Sequence, residues 1–381
     1  MLLTQLAIGQ AFKRQKKRKE LLRLGFLAEL DDLTQIRLLA RYYSSQHYTQ
    51  KINARSLLVS KYAFNLNGYS NQSSLQNIRF LQHEIPKIAE IFNFSVNRTA
   101  RSGYRTDSIT SCCIVLSRLA SFCRWVDIET LFGMHSSALS EIFWEAIESF
   151  IANVGHVLQF RPHFMQQRAV LYAAAITEKG TPLDNIVGFI DYTRIQMSRP
   201  GGSSALQRSC YSGHKRFHCL IYQTITTPDG LIFHLHGPEV GRRHDMTLYR
   251  DSGLDRHLSG CIVIDEKQFA VYGYPAYMLR PCLQVGFPLV GATPIEAAFN
   301  RDMSAMREAV EWSYKDLKQM WSSPDYKSLL RVRKAPIALM YKAAAILLNC
   351  KTCLKHSGQV GSYFLVSPPT LENYTSGGNQ E

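Results

Sequence analysis

An apolar run, Ile186 to Ile190 with one Gly in it, ends abruptly in Asp191. The surrounding stretch, Gly188-Phe-Ile-Asp-Tyr-Thr-Arg-Ile195, continues through Arg199-Pro-Gly-Gly202 to Tyr211-Ser-Gly-His-Lys-Arg-Phe-His218. A short run of this kind reads as a strand buried on both faces, with its end at Asp191. A carboxylate at the end of such a strand stands at the rim of a rigid core, where a catalytic group or metal ligand can be held in place. The Arg, Lys and His residues that follow make the surroundings basic. A fixed acid beside a basic surface is what metal-dependent chemistry on a polyanion requires.

At 381 residues the chain is long enough for two domains, each with its own core. Apolar residues make up 46% and charged residues 19%, the balance of a soluble globular protein. The absence of a run of 18 apolar residues predicts no membrane span. A short apolar start followed by a basic run predicts no secretory signal. The net charge of +14 favours a polyanionic partner, most simply nucleic acid. Nine Cys residues without a disulfide-like pattern point to a reducing compartment. Cys350-x-x-Cys353 lies in a helix-like run without a second pair, so structural thiols are a better reading there than zinc.

The first half of the chain reads as helical. Lys13-Arg-Gln-Lys-Lys-Arg-Lys19 is a nuclear-import signal or a phosphate-binding arm, with Lys16, Lys17 and Arg18 at its centre, or else a solvated tail. Helical spacing runs from Glu20 to about Tyr43. A polar stretch to about Gln76 reads as loop, and helices return at about Leu81–Phe92 and from Ser108. Asp127 to Phe143 reads as helix, Gly133 turn, helix, with Ser136 or Ser137 as the cap of the second helix. That is the spacing of a helix-turn-helix, and it would bring Ser136, Ser137 and Ser140 near a DNA groove. An ordinary helical hairpin fits as well, because no Arg or Lys appears on the second helix before Glu148. One further helix is predicted from Pro162 to about Ala175.

The second half changes character. After the first strand, Phe217–Thr226 and Leu231–His236 flank Pro228-Asp-Gly230, a hairpin signal. Gly237-Pro-Glu-Val-Gly-Arg-Arg-His-Asp245 leaves the third strand. A short helix, strand candidates at Cys261–Ile264 and Phe269–Tyr272, and helices over Asn300–Met320 and Ala335–Lys355 follow. Three antiparallel strands and then alternating helices and strands predict an α/β fold of the ribonuclease H type. The expected domains are a basic, partly helical segment (1–80), a helix-turn-helix-containing region (81–180), a catalytic core (181–357) and a flexible tail (358–381).

Arg307, Glu311 and Lys318 are spaced to share one stripe of a helix, beside an apolar stripe of Met303, Met306, Val310 and Leu317. The plain reading is an i,i+4 ion pair between Arg307 and Glu311. Asp191 and Asp245 add weight to a functional one, in which three acids hold two divalent ions about 3.5–4 Å apart for phosphoryl transfer. Mg²⁺ and Mn²⁺ are hard ions that prefer carboxylate oxygens.

These motifs, with Met306-Arg-x-x-Val-Glu-Trp312, resemble the nuclease domain of PIF/Harbinger-type DDE transposases over about Pro182–Cys353. The resemblance implies a ribonuclease H-like core, a mostly α-helical N-terminal domain with a helix-turn-helix, nuclear action on DNA, a Mg or Mn cofactor and a separate Myb-like DNA-binding partner protein. A homo-oligomer is compatible with it. It puts the catalytic and metal-binding acids at Asp191, Asp245 and Glu311. Lys215, Arg216, Arg242, Arg307 and Lys318, with the arm and the three serines, are the candidate DNA contacts. The sequence departs from the family pattern at two places. Tyr192 replaces a Gly, and Tyr272-Gly-Tyr-Pro-Ala-Tyr277 carries Tyr274 where the family has its remaining Asp. A phenol with a pKa of about 10 is a poor Mg²⁺ ligand at pH 7. Asp265 is nine residues earlier, at the wrong end of its strand to substitute. The resemblance therefore implies a weakened nuclease or, alternatively, a domesticated DNA-binding protein without cleavage.

Overall fold

Capping side chains begin the helices of the first half wherever Ser or Asp precedes an apolar stretch. Ser70 accepts from the Ser73 amide and starts α1 (Asn71–Ile78), so part of the polar stretch expected to be loop is helical. Pro at the first turn starts α2 (Ile85–Phe92), whose Ile85, Ile88, Ala89 and Phe92 form one buried stripe. A minimal antiparallel pair, β1 (Arg98–Thr99) and β2 (Arg105–Thr106), leads to Asp107, which caps the almost wholly buried α3 (Ser108–Ala120). The computed structural model describes residues 64–93, 98–99, 105–275, 277–332, 334–356 and 358–376. The basic run with Lys16, Lys17 and Arg18, and the helical pattern to Tyr43, lie outside the described residues.

The predicted helix-turn-helix spacing yields a 3₁₀ turn at Trp125–Ile128, a single helical turn α4 (Glu129–Phe132) and the long α5 (Ser136–Val154). Gly133 ends α4 with φ 63°, a left-handed conformation that costs a glycine nothing. The cap of α5 is neither Ser136 nor Ser137. The His135 ring accepts from the Ser137 amide, and the Glu129 carboxylate accepts from the Ser136 amide at 2.6 Å. A carboxylate on the positive end of the helix outcompetes a serine hydroxyl there.

After α6 (Pro162–Thr177) comes β3 (Ile186–Gln196), then α7 (Ser204–Cys210), β4 (Tyr211–Ser212), β5 (Phe217–Thr226) and β6 (Ile232–Val240). Next follow α8 (Asp245–Asp251), α9 (Leu254–Cys261), a small hairpin of β7 (Val263–Ile264) and β8 (Lys267–Gln268), β9 (Ala270–Gly273) and β10 (Leu283–Val285). The chain ends in α10 (Pro294–Met320), α11 (Ile337–Lys355), α12 (Gln359–Phe364) and α13 (Leu371–Thr375). Strands β10, β9, β3 and β5 lie side by side in that order, and β4 and β6 both pair with β5. Strands β3, β5 and β6 run antiparallel, while β9 is parallel to both β3 and β10. This is a mixed α/β sheet in which α6 and α10 both pack on β3, sharing a core built from Phe164, Tyr172, Phe189, Phe233, Met303 and Val310.

The hairpin turn between β5 and β6 closes on a fully buried carboxylate. Asp229 accepts from the Thr227 hydroxyl at 2.6 Å, the Leu231 amide at 3.3 Å and the Tyr172 hydroxyl at 2.5 Å, with Arg168 of α6 at 3.5 Å. Asp229→Ala removes the acceptor of the Tyr172 hydroxyl and the counter-charge of Arg168, and is expected to cost about 2–4 kcal/mol. A lowered urea midpoint with an unchanged slope would show it, and an unmoved midpoint would refute it.

The free edge of β6 is covered by α11. The buried Asn349 side chain accepts from the Ile232 amide and donates to its carbonyl, both at 2.9 Å, and donates also to the Tyr374 hydroxyl. Mimicking a neighbouring strand in this way removes an edge open to other chains. It also explains a correction: the tail from residue 358, expected to be flexible, carries α12 and α13 through residue 375, with Val360, Phe364 and Tyr374 buried. Helix α11 is long and apolar enough to cross a membrane, by length and composition alone, yet most of it is buried within the protein. Its Cys350 and Cys353 are buried too, and burial pushes the Cys350 thiol up to about 12.

On β6, His234 is 6% exposed, and neither ring nitrogen has a protein partner among the described residues. Burial first, then the neighbouring His236 and His257, lowers its pKa to about 3. The unfolded chain binds a proton at this residue below about pH 6.5, whereas the folded chain resists it down to about pH 3. The stability it contributes is therefore complete above that range and is lost as pH falls through it. His234→Phe is expected to flatten this acid limb of a pH–stability curve. An identical acid limb in the variant would rule it out.

Candidate active site

Strand β3 does not stop at Asp191. It continues to Gln196 because β5 keeps pairing with it, Asp191 opposite Thr224 and Gln196 opposite Cys219. On its other side β9 ends at Gly273, level with Ile190. Asp191 is thus the first β3 residue beyond the end of β9, on a flank of β3 that β9 no longer pairs with. Gly273 permits this tight ending, since a Cβ there would meet Ile190 Cγ2 at 2.8 Å and Tyr277 Cδ2 at 2.9 Å. The next residue, Tyr274, therefore stands beside Asp191, with its side chain 46% exposed.

Helix α10 closes the other side. Thr293 and Glu296 form a capping box at its start, with Pro294 in the first turn. Met303, Met306, Val310 and Leu317 are buried as their spacing predicts. That orientation carries Arg307 over the end of β9. Its guanidinium donates to Asp191 Oδ2 at 2.5 Å and to Glu311 Oε1 at 3.4 Å. Its Cζ lies 5.6 Å from the centre of the Tyr274 ring. The i,i+4 pair with Glu311 exists, but Glu311 is 60% exposed and contributes little by it. The stronger bond is to Asp191, at 13% and 16% exposure for the two partners. Asp191 also accepts from the Tyr192 amide at 2.7 Å. A planar fork suits this double duty as an ammonium would not.

A cleft of about 430 Å³ opens next to these groups, lined by Thr193, Glu311, Tyr314, Lys315, Lys318 and Gln319. The Tyr314 hydroxyl lies 2.5 Å from Thr224 Oγ1, across the sheet from Asp191. Burial, with the Asp191 charge adding to it, pushes this phenol well up, so Tyr314 stays a neutral hydrogen-bonding group. Neither Lys315 nor Tyr314 is marked by the sequence motifs. Both follow from Glu311 by helical spacing once the packed face of α10 is known.

The other candidates are more dispersed. Asp245 opens α8, which follows β6 at the same end of the sheet as the later residues of β3, but its side chain lies outside the description. Lys215 and Arg216 are exposed in the β4–β5 turn, and Arg242 is exposed just after β6. Lys318 pairs with Asp325 at 3.3 Å. Ser136, Ser137 and Ser140 are half-buried on α5. Asp265 is exposed at the tip of the β7–β8 hairpin, at the start of β9, opposite to the end that carries Tyr274.

Two carboxylates, one guanidinium and two phenols therefore meet at this site. No group of three His, Cys, Asp or Glu side chains able to hold a metal ion occurs among the described residues. Asp191 and Glu311 are hard oxygen donors of the right type, but Arg307 already lies between them and Tyr274 adds no charge. By themselves these two donors do not make up a two-metal centre, and the side chain of Asp245 lies outside the description. The neighbouring cleft is lined by Lys315 and Lys318, cations that an anionic ligand there would meet.

Residues 190–349 match the family model of the DDE superfamily endonucleases. The matched stretch begins in β3 and ends in α11, so it contains the whole site described above. No curated protein and no solved structure matches the chain.

Proposed function

We propose that this chain acts on DNA through a DDE-type endonuclease core of the PIF/Harbinger kind, with ribonuclease H-like topology and cleavage attenuated at Tyr274. The observation that carries this reading is the convergence of Asp191 of β3 and Glu311 of α10 beside the end of β9, inside the segment that matches DDE superfamily endonucleases. DNA is the substrate the basic charge favours. In such a core Mg or Mn supplies charge stabilisation of the phosphodiester transition state, and Asp191, Asp245 and Glu311 are the residues that would hold it. The proposal extends to nuclear action and to a Myb-like partner for target choice. The chain's own groups have roles that need no metal: Lys315 and Lys318 draw the phosphate backbone to the cleft, Tyr314 offers a hydroxyl, and Arg307 fixes Asp191.

Nicking of supercoiled plasmid in Mn²⁺ tests the reading. The natural chain is expected to nick weakly, and Asp191→Ala to remove that activity. Nicking that survives Asp191→Ala would overturn it. The second reading, a DNA-binding protein without cleavage, is favoured by Arg307 bridging the two acids. It predicts retarded DNA in EDTA and no nicking from the natural chain.

A further inference from the structure

A second cavity, of about 260 Å³, lies between α3, α5 and the connection from α10 to α11. Its cationic lining comes from Arg118, Arg331 and Lys334, and its aromatic lining includes Trp125 and Trp144. No Asp or Glu is among its lining residues. Arg118 is 9% exposed, lies over the Trp125 ring at 4.4 Å and donates to the Cys123 carbonyl. Burial lowers its pKa to about 10, so it remains charged at neutral pH without a carboxylate beside it. A desolvated guanidinium with no anionic partner is costly unless an anion arrives. Arg331 and Lys334 are exposed and form no ion pair among the described residues.

The same two segments carry an exposed aromatic pair. Phe122 and Tyr326 are 56% and 43% exposed, with ring centres 5.0 Å apart. Exposed rings interleaved with unpaired cations are the composition of a surface that stacks bases and holds phosphates. The connection is also tied to the acid site. Asp325 pairs with Lys318, one turn from Lys315 on the α10 face that carries Glu311. Just beyond the end of β3, the Ser198 amide donates to the Leu330 carbonyl and its hydroxyl to that of Lys327. The volume is below that of a drug-sized site and suits one nucleotide-sized group rather than a duplex.

We infer that this cavity is a second DNA contact, which takes an unpaired nucleotide of a strand leading to the acid cleft, its phosphate on Arg118, Arg331 and Lys334 and its base against the tryptophans. Ser140, the one α5 serine that lines the cavity, then meets DNA from inside this cavity and not from a major groove. The inference rests on the DNA-directed reading of the acid cleft and deepens it, naming partly single-stranded DNA as the substrate class.

The test uses the full chain in EDTA, with fluorescein-labelled single-stranded DNA, the same sequence as blunt duplex, and as RNA, read by anisotropy. Arg331→Ala/Lys334→Ala is expected to weaken single-strand binding by on the order of tenfold and to lower the salt slope by about 0.7, one phosphate's worth. Phe122→Ala/Tyr326→Ala is expected to weaken it by about tenfold with little change of slope. Blunt duplex binding should change much less, and melting temperatures should hold. Single-strand affinity and slope that survive both double variants would overturn the inference, as would an equal loss on blunt duplex or tighter binding of RNA. The two readings fail separately. Unchanged binding alongside Asp191-dependent nicking would sink only this one, and lost binding with Asp191-independent nicking only the other.

Discussion

Tyr274→Asp is expected to raise nicking of supercoiled plasmid in Mn²⁺ by about 10²–10³-fold over the natural chain, from about 3–4 kcal/mol of added charge stabilisation. The register supports the size of this effect. Gly273 is level with Ile190, so residue 274 stands beside Asp191 on the flank of β3 that β9 no longer pairs with. A carboxylate introduced there joins Asp191 and Glu311 around a common point. The replacement should be tolerated, because the phenol is half exposed and its loss removes only a contact with Arg307, of about 0.5–1 kcal/mol at such a site. Adding Asp191→Ala to Tyr274→Asp should return nicking to background. A Tyr274→Asp chain that nicks no better than the natural one, while folded, would mean that Tyr274 is not the limiting departure.

Arg307→Gln has the second largest expected effect, and it is on stability. The guanidinium neutralises the nearly buried Asp191 and the more exposed Glu311 together. Its removal leaves Asp191 without that charge and is expected to destabilise the chain by about 2 kcal/mol, less than for a fully buried pair. For a compact unit of this size that lowers Tm by roughly 3 °C. Asp191→Asn placed on the Arg307→Gln background should recover most of the loss, since the two side chains form one interaction. Mn²⁺ should also recover part of it in Arg307→Gln and shift the natural chain less, because a divalent ion and the guanidinium compete for the same carboxylates. Equal melting temperatures for Arg307→Gln and the natural chain would show that the pair contributes nothing.

Much of this was legible from residue order. Continuous apolar runs mark β3 and β5, which are buried on both faces, and a period of 3.6 marks α10, whose apolar stripe faces the core. The spacing of Arg307, Glu311 and Met306 on one helix is enough to say that an acid and a base ride beside a buried stripe. Capping was less legible: Ser137 looks like a better cap than His135 until Glu129, seven residues before Ser136, is brought back onto the same helix end by the Gly133 turn.

By itself the sequence determined the alternation of elements, the basic charge, the identity of the acids and the absence of one at Tyr274, all of which depend on residues near in sequence. The tertiary structure alone decided what those groups do to one another. Strand β3 outruns its expected end at Asp191 because β5 keeps pairing with it. The tail through residue 376 packs on the core because Asn349 and Tyr374 close the edge of β6. Arg307 bridges Asp191, 116 residues away, because α10 is rotated by the burial of its methionines. Such contacts join groups far apart in the chain, and their geometry follows from how helix and sheet surfaces fit, which no local pattern encodes.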